Sequence, residues 1–127
     1  MLREASLKFT RDLTEKLLIR SVDGDAIRVY GETFTASFAL TAEEVLGPWH
    51  ATPVADLSVS QFAQVLATQP EVVLLGTGPT NVFPPRELSF AFAREGIGFE
   101  TMDTAAAART FNVLALEGRR VAAVLYL

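Results

Sequence analysis

The sequence predicts an α/β fold, a sheet built from crossover units with an additional antiparallel β part at the N-terminus as an edge or second layer. Three observations carry that expectation. The second half alternates short apolar runs with helix-patterned segments in the order strand, helix, strand, helix, strand, the mark of crossover units. The first third instead shows turn signals between β-patterned runs. With 127 residues, half of them hydrophobic, the chain suits a single domain over residues 1–127 with a real core.

The elements follow in order. The start, MLREASLKFTRD, has charges throughout and no apolar centre, so it does not read as a secretory signal and the domain is expected to begin nearby. Asp23-Gly24-Asp25 is a turn signal between KLLIRSV and AIRVYGETF. The two aspartates suggest a calcium loop, but the later ligands of an EF-hand are missing, so they are turn residues. ETFTASFAL places Phe34, Ala36, Phe38 and Leu40 on one side of a strand. Thr41 with Glu44 three residues on matches a capping box and predicts a short helical turn before Gly47-Pro48.

Residues 58–68 read as a helix, with Val59, Phe62, Ala63 and Leu66 at helical spacing, a serine cap and Pro70 as stop. EVVLLG reads as a strand covered on both faces. PPRELSFAFAREG begins with prolines suited to a first helical turn and ends at Gly96. FETM is a short strand. Residues 104–117 form the strongest helix pattern, capped by Asp103 or Thr104 and stopped by Gly118. RRVAAVLYL is a last strand.

Composition narrows the function. There is no cysteine, which excludes disulfides, thiolate metal sites and cysteine nucleophiles and fits a cytoplasmic location. The net charge is −4 with no long basic run, which argues against nucleic acid as a partner. No window has the ~18 uninterrupted apolar residues of a membrane span, so no membrane insertion is expected. His50 is the only histidine, so a multi-histidine metal site within one chain is impossible. It reads as a partly exposed residue beside Trp49. Adjacent Glu43 and Glu44 diverge and form a solvated face, not a carboxylate pair. No cofactor, metal or catalytic residue is expected.

VVLLGTGPTN, from Val72, invites comparison with phosphate-binding loops. The dinucleotide fingerprint fails because Asn81 stands where its third glycine belongs, and Pro79, Pro84 and Pro85 delay the helix. The P-loop fails because no Lys-Ser or Lys-Thr follows. The plain reading is a turn after a buried strand. The functional reading uses the helix ends. If the strands before Gly76 and Asp103 are parallel neighbours, their loops lie side by side and both following helices aim free N–H groups at one space. Arg109, leaning toward the helix N-terminus, would then hold an anion near Gly76 and Gly78. The alternative makes Arg109 a surface residue and Asp103 a simple cap.

At these residues the chain resembles a known family. LLGTG, then MDTAAAARTFNVLALEGRRVAAVLY, with YGETFTASF and a PW pair earlier, is similar to the domain-of-unknown-function 498 family. That family includes the mitochondrial complex I assembly factor three and uncharacterised bacterial and archaeal proteins. The resemblance covers nearly the whole chain. It implies a three-layer α/β fold with a mixed central β-sheet flanked by helices and no established catalytic activity; the family's mitochondrial members act by binding assembly partners. It marks Gly76, Gly78, Asp103, Thr104, Thr110 and Asn112 as a shared surface, to which Thr77, Asn81 and Arg109 are added as neighbours. Relatives often carry cysteine just before the Arg109 position, where this chain has Ala108, so a thiol-dependent role does not carry over. Three functions follow for test. The first is a non-enzymatic protein-binding or assembly-factor-like module. The second is a small-ligand or anion-binding domain, or an enzyme, with its site between the Gly76–Gly78 loop and the start of the Asp103 helix. The third is a homodimer formed through an exposed strand or the apolar VLYL end.

Overall fold

The computed structural model describes residues 16–49 and 52–127. The N-terminal segment and His50 lie outside the described residues. Strands β1 (Ile19–Asp23) and β2 (Ala26–Val29) form a hairpin around Gly24-Asp25. Gly24 has φ +58°, which glycine adopts at no steric cost and which a two-residue hairpin loop requires. The run from Ala26 does not continue as one strand. It breaks at Tyr30, where φ is 58°, and β3 (Glu32–Phe34) folds back on β2. These three strands make a sheet of their own, in the order β1-β2-β3.

The alternation from Phe34 to Leu40 is also split, because the chain changes sheets between Thr35 and Ser37. Strand β4 (Phe38–Thr41) is buried at all four positions in the main sheet. Phe34 and Phe38 stack at 4.2 Å between ring centres and tie the two sheets together.

The expected helical turn after Thr41 is instead a hairpin turn. The Thr41 hydroxyl does accept from the N–H groups of Glu43 (3.2 Å) and Glu44 (3.1 Å), as a cap would. The chain then returns as β5 (Val45–Pro48), and antiparallel pairing with β4 satisfies the backbone that a helix would have satisfied internally. Glu43 is exposed and meets Lys16 at 3.3 Å.

Of residues 58–68, those from 59 to 66 are helical, and the first half is a 3-10 turn, Val59–Phe62, running into α1 (Ala63–Leu66). The Ser58 N–H donates to Gln61 Oε1 at 3.0 Å, half of a capping box. Gln69, at φ 56°, and Pro70 end the segment. Then come β6 (Val72–Thr77), α2 (Arg86–Arg94), β7 (Gly98–Met102), α3 (Thr104–Leu116) and β8 (Val121–Tyr126).

The main sheet has the order β5-β4-β8-β6-β7. β6 runs parallel to both β7 and β8, while β4 is antiparallel to β8. Alternate residues of its strands face opposite layers. Leu74, Ala123 and Leu125 pack on Ala107, Phe111 and Ala115 of α3 and on Ile27 and Val29 of the small sheet. Val73, Leu75, Ala122 and Val124 pack on Phe62, Leu88 and Phe92. The architecture is therefore three layers with a mixed central sheet. β8 lies inside that sheet and its residues Val121–Leu125 are buried, so the VLYL end is not an exposed edge.

Candidate functional site: the seam between the Gly76–Gly78 loop and helix α3

β6 and β7 are parallel neighbours, so the Gly76–Gly78 loop and the Asp103 turn do lie side by side. What fills the space between them is protein. A Cβ on Gly76 would stand 3.0 Å from Leu125 Cδ2 and from both Cα and Oγ1 of Thr104. Glycine is required there by close approach of α3. Gly78 is at φ +100° and turns the chain away. Its N–H donates to Thr104 Oγ1 at 2.8 Å, and the Thr104 N–H donates back to the Gly78 carbonyl at 2.8 Å. The Thr104 hydroxyl donates to the Tyr126 carbonyl at 2.6 Å. One buried threonine thus joins the ends of β6, α3 and β8.

The loop is held in the same way. The Thr77 hydroxyl accepts from the Val82 N–H at 2.9 Å and donates to the Thr80 carbonyl at 2.6 Å. Asp103 caps α3 by accepting from the Ala106 N–H at 2.8 Å. The donors of Gly78, Thr104, Val82 and Ala106 are engaged with the protein's own oxygens, and the Asp103 carboxylate adds negative charge where an anion would sit. Loop closure comes from these bonds and not from side-chain packing, since Phe83 is 74% exposed.

The remaining candidates divide. Asn81 is exposed on the loop. Thr110 directs its hydroxyl to Met102 Sδ at 3.6 Å. Asn112 is structural: its amide accepts from the Ile19 N–H and donates to the Ile19 carbonyl, both at 2.8 Å, as a neighbouring strand would. Arg109 is exposed and forms no ion pair with Asp103; it faces β1 and not the glycines.

Two clefts border this region. One of about 500 Å³ is lined by Gly78, Pro79, Asp103, Thr104 and Ala105 on one side and by Val22, Gly24, Tyr126 and Leu127 on the other. A second of about 220 Å³ lies between β1 and α3, among Arg20, Ser21, Arg109 and Asn112. The contributions of β1 and of Tyr126 and Leu127 escape sequence reasoning because they lie far along the chain from Asp103. The only available signal is the asparagine in α3, polar at a position beside the buried stripe. Further along the sheet end, the Tyr126 hydroxyl accepts from Trp49 Nε1 (3.0 Å) and donates to the Thr52 carbonyl (2.7 Å). Burial pushes the Tyr126 phenol above its ordinary value, partly opposed by the Trp49 hydrogen bond. Among the described residues, no three of His, Asp or Glu group as metal ligands would, and no helix is long and apolar enough to cross a membrane.

A mixed five-stranded sheet with α3 and a small antiparallel sheet on one face, sealed by the Gly78–Thr104 pair, defines the class of protein. The chain belongs to the family described as "Protein of unknown function (DUF498/DUF598)", which it matches over residues 19–126. It is 32% identical over 72 residues to the "13 kDa major membrane protein" of Francisella tularensis, a match covering 57% of this chain and 58% of that protein. It is 27% identical over 117 residues to human "NADH dehydrogenase [ubiquinone] 1 alpha subcomplex assembly factor 3", covering 91% of this chain and 63% of that one. Among solved structures, that of Xanthomonas campestris XCC1710 superposes with a TM-score of 0.80 at 37% identity, covering 93% of this chain and 89% of that one.

Proposed function

We propose that this chain is a non-enzymatic protein-binding module of the assembly-factor type. The observation that carries the reading is the outer face of α3. Arg109, Val113 and Leu116 share one stripe, at spacings of four and three residues. Val113 is 55% exposed and Leu116 69% exposed. A surface helix of this length normally presents charge on that face, and adjacent exposed apolar side chains mark a contact surface. The similarity to a relative named as an assembly factor supports the same reading.

Gentle affinity capture from cell lysate tests it. The wild-type chain recovers a stoichiometric protein partner, and the Val113→Glu, Leu116→Glu double variant loses at least about tenfold of that recovery, the loss of a buried apolar anchor. Absence of any partner, or equal recovery by the variant, overturns the reading. A cytoplasmic location belongs to the proposal, and recovery of the chain in the membrane fraction would count against it. A homodimer would form through the exposed side of an edge strand such as β7, and sedimentation as a monomer at high concentration removes that option.

The cleft of about 500 Å³ favours a second reading, a small-ligand or anion site beside Gly78 and Asp103. Titration with nucleotides and phosphorylated metabolites, read by backbone amide shifts, tests it; unmoved Gly76, Gly78 and Thr104 amides reject it.

A further inference from the structure

We propose that the seam between β1 and α3 binds an extended, acidic peptide segment of a partner protein, its carboxylate held between Arg20 and Arg109. The inference rests on the protein-binding reading and adds a second surface to it, which borders the Val113–Leu116 face at Arg109.

The two clefts share Val22 and Ala105, so they adjoin along the seam. One wall is β1, which among the described residues pairs as a strand with β2 alone and whose other edge lies along α3. An edge strand presents backbone groups that an extended peptide can extend as another strand. The molecule already uses that edge once, where the Asn112 amide takes both the N–H and the carbonyl of Ile19. Beyond Ile19, Ser21 and Val22 border the groove.

The Arg end of the groove is built for an anion. The β1–β2 register shifts between Ile19 and Ser21, leaving Arg20 without a partner in β2. Such bulges redirect side chains. Arg20 and Arg109 line the same cleft, both are exposed, and neither forms an ion pair among the described residues. A carboxylate entering that cleft would meet two positive charges. Beside them the Ser21 hydroxyl is buried with no hydrogen-bond partner. Buried hydroxyls are rarely left so.

The opposite end carries the Asp103 carboxylate among Val22, Pro79, Ala105 and Leu127. It suits an apolar side chain and rejects a second acid. The groove therefore has polarity, with an acidic residue at the Arg20–Arg109 end and apolar residues toward Asp103.

The test uses the full chain on an immobilised array of octapeptides in matched sets, apolar sequences carrying one Glu, or Gln or Lys in its place. The Glu set binds about tenfold better than the Gln set, the worth of one charge-assisted hydrogen-bonded pair. Arg20→Ala and Arg109→Ala each reduce it toward the Gln level without changing the melting temperature. A bound Glu peptide shifts the amides of Ser21, Val22 and Ala105. No preference for Glu, or a preference that survives both substitutions, overturns the proposal. So does an equal response to glutarate or inorganic phosphate alone, which would make the groove a small-anion site. A Val113→Ser, Leu116→Ser variant, which adds no charge beside Arg109, retains Glu-peptide binding. Failure of the array with intact lysate capture therefore sinks only the groove, and the reverse result sinks only the α3 face.

Discussion

At the residue scale, Thr104 matters more than either glycine beside it. Its hydroxyl accepts from Gly78 and donates to Tyr126, so three elements share one buried oxygen. Thr104→Val keeps the shape and removes both bonds, leaving a buried N–H and a carbonyl unsatisfied. We expect a loss of about 2–3 kcal/mol, measured as a lower denaturant midpoint with an unchanged slope. Gly76→Ala should cost about 1–3 kcal/mol by overpacking, because its new methyl meets the Thr104 backbone, which cannot yield. The sequence singled out Gly76, Gly78, Asp103 and Thr104 correctly as neighbours. It could not show that their polar groups satisfy one another, since a free N–H and a paired one are written identically.

At the element scale, the decisive contact is Asn112 against the edge of β1. It lets a helix stand where a strand would and docks the small sheet onto the main one. Asn112→Ala should cost about 1–3 kcal/mol, with faster hydrogen exchange at the Ile19 amide as its local signature. An unchanged Ile19 rate would show that apolar packing alone holds the layer. Helix α3 and strands β6 and β8 were legible because their periodicity is long and their caps are explicit. The Thr41–Glu44 turn was misread as helical for a physical reason. The hydroxyl makes the same bonds to backbone N–H groups in a hairpin turn as in a helix cap, and only the pairing of β5 with β4 separates the two.

At the scale of the whole molecule, Tyr126 links the end of the central sheet to Trp49 and Thr52. Its phenol is raised by burial, so the folded state favours the protonated form. The stabilisation is fully present below the unfolded value of about 10, and is lost as pH rises through the folded one. Tyr126→Phe should flatten the alkaline fall in stability, read as melting temperature between about pH 9 and pH 11. An unchanged profile would mean that the phenolate is accommodated without loss.

The sequence alone determined the alternation of strands and helices, the capped α3, the buried β6, and the family to which the chain is similar. These are local properties, set by periodicity, caps and breakers within a dozen residues. The tertiary structure alone decided that β8 is central, that β1 runs along α3, and that Arg109 lines a cleft with β1 and not with the glycines. Those facts depend on pairings between segments some ninety residues apart. Such pairings are chosen by the joint burial of whole faces, and no single stretch of sequence records them.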